Sequence, residues 1–283
     1  MIQDKLKSDL KIYDRKAHYK IETEIATRLR NSTSAERTEL YRWAYDSLYQ
    51  RIPNHPMLSP VTEQEHQARI AKDRRNMEVF LRDDTVFLEV GAGNCEFAAE
   101  VAKKAKTVIA LEVSGVIANQ FDEIPNFRLI LFDGINFPVP ENSVDLAYSN
   151  QLMEHLHAED AINQLSSIYR VLKPGGVYFC ITPNRLSGPH DISRDFDGVA
   201  TGLHLREYSV TEMAKILREC GFSKTKIYLR FFKFGAFIPI FPYKICEAAI
   251  DVLPHRVRKL LTFNKVFRFL LGVKIAGVKP IDG

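Results

Sequence analysis

The chain has 283 residues, 46% of them hydrophobic and 26% charged, a composition typical of a folded globular protein and not of a disordered or fibrous one. At this length it can bury one sizeable core, alone or with an appended region. Its formal net charge of +4 permits an anionic partner but lacks the basic excess of a dedicated nucleic-acid-binding protein, so no nucleic acid partner is expected.

Residues 1–80 are predicted to form an N-terminal helical cap, because they are charged and aromatic with helical spacing and contain no strand-like run. The chain starts with a charged stretch that has no apolar run, so a signal peptide is not expected. The prolines of residues 52–60 separate two helical segments. In the first segment, the side chains that can share one helix face are Leu40, Tyr41, Trp43, Ala44, Leu48 and Tyr49.

From Thr85 onward, short apolar strands alternate with helices, which predicts parallel strands joined by right-handed crossovers. The strand-like runs are TVFLEV, TVIALEV, NFRLILF, SVDLAYS and GVYFCIT, followed later by KTKIYLRFF and VKIAGVKP. We therefore expect an α/β fold, a Rossmann-like three-layer sandwich with a mostly parallel seven-stranded sheet. The core is expected over residues 81–231, a helical insertion over 232–271, and the last strand within 272–283.

The segment FLEVGAGNCEFA, residues 87–98, predicts a strand, a glycine turn and the start of a helix. Gly91 and Gly93 allow the backbone to approach a ligand closely, and the helix start adds oriented N–H donors. Glu112, at the end of the second strand, can accept hydrogen bonds from both ribose hydroxyls of an adenosine cofactor. Dehydrogenases use a similar loop, but their fingerprint has a third glycine or alanine where this chain has Glu96.

The later motifs favour one cofactor class. LFDGINFPVPENSVDLAYSNQLMEHL and YRVLKPGG resemble, in order and spacing, the motifs of class I S-adenosylmethionine (SAM)-dependent methyltransferases, and the resemblance covers residues 85 to about 222. It implies SAM as the cofactor, with Asp133 receiving the adenine amino group and the N–H of Gly134 serving the ring. It also implies that Glu89 and the backbone around Ser149 and Asn150 hold the methionyl end of SAM.

Three histidines are candidate catalytic residues. Methyl transfer to a hydroxyl benefits from a general base, and histidine is the usual base near neutral pH. His155 in MEHL is the first candidate, because a histidine at this place acts as base in some small-molecule members of the resembled family. His190 and His204, in the loop after the fifth strand, are the others, and a packing or loop-ordering role is the alternative for each.

No metal site or disulfide framework is expected. The loop after the fifth strand carries Asp191, Asp195 and Asp197, but their spacing matches no metal motif. The four cysteines are widely spaced and form no CxxC pair, which argues against a zinc knuckle and favours the reducing cytoplasm.

The signatures of several acceptor classes are absent from the sequence. SNQL follows the fourth strand, where amino-methylating DNA enzymes carry (D/N)PP(Y/F). No cysteine lies in the Pro-Cys context of cytosine-C5 enzymes, and the paired-glutamate loop of protein arginine methyltransferases is missing. We therefore expect SAM-dependent O-methylation of a small-molecule, glycan or lipid-linked acceptor. N- or C-methylation, a SAM-binding scaffold without turnover and a hydride-transfer enzyme are the alternatives, and the sequence makes no prediction of the oligomeric state.

The segment before the last strand is basic and aromatic. Residues 232–274 hold eight lysines and arginines against two acidic residues, a local charge of +6, together with seven phenylalanines. Such a segment suits peripheral contact with an anionic membrane, and the matching location is the cytoplasm at the inner membrane face. A lid over the acceptor, packed on the core, is the alternative. No stretch reaches the ~18–20 apolar residues of a membrane-spanning helix.

Overall fold

The computed structural model describes residues 14–55, 58, 62–231, 234–262 and 264–281. Parts of three predicted regions therefore lie outside the described residues: 1–13, 56–57 and 59–61 of the cap, 232–233 and 263 of the insertion, and 282–283 of the last strand. Within the described ranges, no helix combines the length and the apolar character needed to cross a membrane.

Three helices follow one another in the N-terminal cap: α1 (Arg15–Arg30), α2 (Ser34–Arg51) and α3 (Glu63–Met77). Each begins after a residue whose side-chain oxygen accepts a backbone N–H of the first turn, which are Asp14, Thr33 and Thr62. In α2 and α3 the cap is reciprocal, because a glutamate in the first turn accepts the N–H of the capping threonine. These local hydrogen bonds fix where the helices begin.

The apolar face predicted for α2 packs on the core. Leu40, Tyr41, Ala44, Leu48 and Tyr49 are all buried, whereas Trp43 is half-buried beneath a guanidinium of α1. The predicted helical spacing therefore identified the buried face of the cap.

One sheet of eight strands forms the centre of the molecule. The strands are β1 (Val86–Val90), β2 (Thr107–Glu112), β3 (Phe127–Leu131), β4 (Val144–Asn150), β5 (Leu172–Thr182), β6 (Ser223–Phe231), β7 (Phe234–Pro239) and β8 (Val273–Val278). Their order is β3-β2-β1-β4-β5-β8-β6-β7. The first five strands pair in parallel, while β8 is antiparallel to both β5 and β6, and β7 is antiparallel to β6. The α/β class and the mostly parallel sheet are confirmed.

The strand count differs from the prediction by one. Seven strands were expected, and β7 is an additional edge strand at the start of the segment predicted to be a helical insertion. The pairing of Tyr228 with Phe237 shows that this strand extends the sheet by a hairpin from β6. An uninterrupted apolar run carries no period that separates a strand from a helix, so the sequence could not make this distinction. The rest of the segment is helical, as predicted: α7 (Phe241–Asp251), α8 (His255–Thr262) and α9 (Lys265–Leu271).

Helices cover both faces of the sheet. The helices between strands are α4 (Glu96–Val101), α5 (Ala158–Val171) and α6 (Val210–Glu219). Because successive side chains of a strand point to opposite faces, Leu88 and Val90 join a buried cluster with α2, α5 and α6. Phe87 joins a second cluster with α3 and α4 on the other face. The sheet thus lies between two helical layers, which confirms the three-layer architecture.

A buried ion pair joins the cap to the core. Arg37 in α2 is 1% exposed, and its guanidinium donates two hydrogen bonds to the carboxylate of Asp160, which is 0% exposed, in α5. The Tyr41 hydroxyl donates to the same carboxylate over 2.7 Å and accepts the N–H of His157 over 2.9 Å. These contacts fix α2 against the start of α5, next to the carboxyl ends of the parallel strands.

Candidate active site

A cavity of about 460 Å³ lies at the carboxyl ends of the parallel strands. In open α/β sheets these ends, where the strand order reverses between β1 and β4, are the usual place for a ligand. The loops after β1, β2, β3 and β4 line the cavity, and α1, α2 and the loop after β5 close it from above. It therefore has a sheet end, where a cofactor fits, and a cap end.

The loop after β1 approaches the cavity with its backbone exposed. Gly91 has φ +70°, which strains any other residue, and a Cβ added there would lie 2.8 Å from Cδ1 of Leu152, so that side chain would have to move. Gly93 has φ +56°, and a Cβ there would meet no atom within 4 Å, so this glycine faces open space. Both predicted glycines thus line the cavity, and α4 begins just after them.

Glu112 stands at the end of β2 and organises the loops around it. Its carboxylate accepts the N–H groups of Gly93 over 2.7 Å, Val113 over 2.8 Å and Ser114 over 3.0 Å. Burial raises the pKa of Glu112, although these three hydrogen bonds oppose the shift. A carboxylate has about four acceptor positions, so one remains for a ligand hydroxyl. Glu112 therefore both shapes the glycine loop and faces the cavity.

Glu89, at the end of β1, is a buried carboxyl with an unused oxygen. Its Oε2 has no hydrogen-bond partner among the described residues, and its side chain lines the cavity. Burial raises the pKa of Glu89 well above its ordinary range, and the nearby Asp73 and Glu112 raise it further. A buried acceptor of this kind needs a donor or a cation from a ligand. The methionyl ammonium of SAM is a group that fits it.

The predicted adenine contacts lie at the loop after β3. Phe132 and Gly134 line the cavity, and Gly134 has φ +87°. The Asp133 carboxylate accepts the N–H groups of Ile135 over 2.8 Å and Asn136 over 2.7 Å, which lower its pKa against the effect of partial burial. Asp133 thus shapes its own turn, and its neighbours Phe132 and Gly134 line the cavity.

Ser149 and Asn150, the two predicted residues at the end of β4, have different surroundings. Asn150 lines the cavity, as expected for a residue near the methionyl end of SAM. The Ser149 hydroxyl instead forms a buried hydrogen bond of 2.6 Å with the Tyr178 hydroxyl on β5. Because neighbouring residues of a strand point to opposite faces, only one of the two side chains reaches the cavity.

His155 lies at the cap end of the cavity. Its Nδ1 donates to the carbonyl of Leu203 over 3.0 Å, which leaves Nε2 with a free lone pair, and the ring lines the cavity. Burial, together with the neighbouring His204, lowers the pKa of His155 to about 3. His155 is therefore neutral at physiological pH.

His204 packs edge-on against His155, with ring centroids 4.9 Å apart, and also lines the cavity. Its Nδ1 donates to Glu207 over 2.8 Å. Burial alone would lower the pKa of His204, but this hydrogen bond and the carboxylates of Glu154 and Glu207 raise it overall. His155 and His204 are thus an adjacent pair in which only the second has a carboxylate partner.

The third candidate, His190, has a different position. Its Nε2 donates to the carbonyl of Asn184 over 3.1 Å and lies 3.0 Å from the Ser187 hydroxyl, while its backbone N–H donates to Glu207. Burial lowers the pKa of His190. The ring is thus directed into its own loop, and the geometry brings His155 and His204 together without it.

The cap contributes residues that the sequence analysis did not identify. Glu22 of α1, Tyr45 of α2 and His55 after α2 all line the cavity. Burial would raise the pKa of Glu22, but hydrogen bonds from His18 and from the N–H of Leu203 lower it overall, so Glu22 is ionised. Burial lowers the pKa of His55 to about 4. No local motif marks these residues, because only the packing of the cap on the core brings them to the site.

Two groups of three side chains in the described part of the chain could hold a metal ion. In each group the ligand atoms lie within 4.8 Å of one another, and the groups are His18, Glu22 and His55, and Glu154, His155 and His204. Each group contributes two side chains to the cavity lining, and imidazole with carboxylate is a ligand set that zinc-like ions accept. The cap end of the cavity is therefore a cluster of imidazoles and carboxylates.

The aspartates of the loop after β5 have separate surroundings. Asp191 lines the cavity, and Asp195 pairs with Arg15 of α1. Asp197 accepts a hydrogen bond of 2.6 Å from the Tyr19 hydroxyl. The three carboxylates therefore do not form a common ligand set.

Comparison with known proteins connects this geometry to a family. A model of the methyltransferase domain matches residues 88–180, which run from β1 to β5 and include the glycine loop, Glu112, Asp133 and His155. The core of this chain is a class I SAM-dependent methyltransferase domain. SAM is the cofactor of this domain, and the buried Glu89 Oε2, which has no partner among the described residues, fits its cationic end.

Two curated relatives carry the same kind of name. A probable SAM-dependent methyltransferase of Mycolicibacterium smegmatis is 32% identical over 136 residues, which are 48% of this chain and 51% of that protein. Phosphoethanolamine N-methyltransferase 1 of Triticum aestivum is 36% identical over 99 residues, which are 32% of this chain and 20% of that protein. The chain spans about half or less of the length of these relatives, and the similarity lies in the methyltransferase domain.

The fold has a solved counterpart. Phosphoethanolamine N-methyltransferase 1 of Haemonchus contortus, in complex with phosphoethanolamine and S-adenosylhomocysteine, matches with a TM-score of 0.55 and 17% identity. The match covers 89% of this chain and 51% of that chain. At this identity the likeness concerns the methyltransferase fold.

Proposed function

We propose that this methyltransferase transfers the methyl group of SAM to a hydroxyl of a small-molecule, glycan or lipid-linked acceptor, and that it does so in the cytoplasm, at the inner membrane face where the acceptor is lipid-linked. The observation that carries the proposal is the neutral ring of His155, which lines the cavity with Nε2 free because Leu203 holds Nδ1. Removal of a hydroxyl proton requires a lone pair of this kind that faces the cavity.

The cofactor half of the site would hold SAM through four contacts. Glu112 would accept a hydrogen bond from one ribose hydroxyl, and Glu89 would accept one from the methionyl ammonium. The backbone beside Asp133 and Asn150 would contact the adenine and methionyl groups. SAM supplies a methyl group already activated as a sulfonium, so the protein must chiefly bind, orient and exclude water. The cap helices α1 and α2 close the cavity and serve that last purpose.

The acceptor half of the site would orient the hydroxyl against His155. During methyl transfer the hydroxyl proton would move to Nε2 of His155. Burial disfavours the imidazolium that results, but the ionised Glu22 raises the pKa of His155 and so stabilises it.

The charge of the cavity bears on the acceptor. Six carboxyl side chains and one arginine line it in the described part of the chain, and that arginine, Arg69, pairs with Glu96 over 2.8 Å. A phosphorylated acceptor such as phosphoethanolamine would need several cations around its phosphate. We therefore favour a neutral hydroxylated acceptor, and an amine without a phosphate is the second candidate because the acidic lining would attract its ammonium.

Replacement of the proposed base separates the two candidates. His155→Asn should lower the turnover of an O-methylated acceptor by about 10²- to 10⁴-fold, because general-base help is lost, while SAM affinity stays unchanged. Transfer from radiolabelled SAM to panels of glycans, lipids and amines measures this effect. His157→Asn is the matched control, since His157 caps α5 outside the cavity and asparagine can also cap a helix. Full turnover of a hydroxylated acceptor by the His155 variant would refute the role of the base.

A further inference from the structure

The segment after the β6–β7 hairpin turn exposes an unusual amount of apolar surface. Of the seventeen large hydrophobic side chains that are exposed among the described residues, ten lie between 234 and 271. Phe241, Val252 and Leu260 are 70%, 82% and 77% exposed. The other seven are Phe234, Phe237, Ile245, Val257, Val266, Phe267 and Leu270. Scattered exposed apolar residues are normal, but their concentration in one segment marks an interaction surface.

The same surface is basic. Its exposed cations are Lys244, Lys259, Lys265 and Arg268. The exposed carboxylate of the described part of the segment, Asp251, pairs with Arg185 and Arg258. The segment's other acid, Glu247, is buried. The outward face therefore combines exposed apolar groups with unneutralised positive charge.

The segment is anchored to the core by its buried side. The Glu247 carboxylate accepts the N–H groups of Val210 and Thr211 at the start of α6, over 2.7 and 2.8 Å. Asn184, at the start of the loop after β5, donates to Glu247 and to the carbonyl of Leu271, both over 2.9 Å. The buried side of the segment is thus packed on the core, and the exposed face is held in a fixed position on its outer side.

We propose that residues 234–271 dock this protein on an anionic lipid bilayer, with the exposed apolar side chains entering the interface and the lysines and Arg268 contacting lipid headgroups. Amphipathic segments with a basic rim bind membranes in this way, through apolar burial and attraction to anionic lipid together. A second copy of the chain is a poorer occupant, because a two-fold contact would bring two basic faces together.

The docking surface is connected to the acceptor end of the cavity. The loop of residues 183–209 contacts α7 and α9 through Asn184 and lines the cavity through Asp191, Leu203 and His204. Docking would therefore bring the acceptor end close to the bilayer, and we infer an amphiphilic, lipid-linked acceptor. This last step rests on the proposed function, whereas the docking itself does not.

Vesicle co-sedimentation of the full chain tests the docking. We expect binding to phosphatidylglycerol-containing vesicles at low salt, weaker binding at high salt, and little binding to pure phosphatidylcholine. The triple variant Phe241→Asp, Val252→Asp, Leu260→Asp should lower the partition coefficient at least about tenfold. Lys259→Glu with Lys265→Glu should lower it by about fivefold or more for each lysine. Ile162→Asp, an exposed apolar position on α5, is the matched control and should bind as the unaltered chain does.

Three outcomes would overturn the docking proposal. They are no binding to anionic vesicles at low salt, an equal loss of binding in the Ile162 variant, and a dimer in sedimentation velocity that the triple variant dissociates while vesicle binding is absent. SAM affinity measured without vesicles reports on folding and on the methyltransferase site separately. A variant that binds SAM normally but does not bind vesicles isolates the membrane role. A chain that binds vesicles but transfers no methyl group contradicts the proposed function and leaves the docking proposal intact.

Discussion

Glu112→Gln tests whether the cofactor half of the site is assigned correctly. The glutamine keeps the size of the side chain but replaces a carboxylate with an amide, which has one acceptor oxygen and one donor nitrogen. The oxygen that now accepts the N–H of Val113 and Ser114 can be kept in the variant. The NH₂ group would then face the N–H of Gly93, 2.7 Å from the present carboxylate oxygen, and two donors cannot bond.

The expected magnitude follows from the lost contacts. A hydrogen bond to a charged group contributes about 1.5–3 kcal/mol, and the variant loses the acceptor that the glycine loop would share with a ribose hydroxyl. Because loop and ligand depend on the same oxygen, we expect SAM binding to weaken by about 2–3 kcal/mol, or about 30- to 150-fold in Kd.

Calorimetric titration with SAM and with S-adenosylhomocysteine measures the change for both ligands, which share the ribose. Glu123→Gln, at an exposed position in the chain between β2 and β3, is the control and should leave affinity unchanged. Thermal unfolding establishes that the Glu112 variant is folded. Unchanged affinity in a folded variant would show that the ribose does not lie at Glu112.

Further predictions concern acid–base behaviour and stability. Burial raises the pKa of Glu89 in the free protein, and a bound ammonium would lower it, so SAM binding should release a proton and SAM affinity should rise with pH up to that raised pKa. Calorimetry in buffers of different ionisation enthalpy measures the proton release. A Glu89→Gln variant with the same pH dependence would contradict the pairing of Glu89 with the ammonium. Arg37→Met leaves the Asp160 carboxylate buried without its cation and should lower the free energy of unfolding by about 3–5 kcal/mol in urea denaturation. The control Arg51→Met, which breaks an exposed pair on the same helix, should change stability little, and equal effects of the two variants would refute the argument.

The cofactor half of the site could be predicted from the sequence because its residues follow parallel strands. The carboxyl ends of such strands meet at one edge, so Glu89, Glu112 and Asn150 had to come together once the strands were recognised. The glycine loop was predictable for the same local reason. These residues depend on the order of short elements and not on distant packing.

The acceptor half could not be predicted in the same way. Glu22 and His55 reach the cavity only because the cap packs over the sheet, and that packing depends on contacts such as the pair of Arg37 with Asp160. His190 and His204 belong to one loop with similar sequence surroundings, yet His204 lines the cavity while His190 hydrogen-bonds to its own loop. Long-range contacts decide such cases, and no local period encodes them.

Calorimetric titration of the purified chain with SAM, S-adenosylhomocysteine and NAD is the most direct test of the methyltransferase assignment, because all three contain the adenosine that Glu112 would hold. We expect SAM and S-adenosylhomocysteine to bind one per chain and NAD to give no heat of binding. Binding of NAD without binding of either sulfur ligand would contradict the assignment and point to a hydride-transfer enzyme.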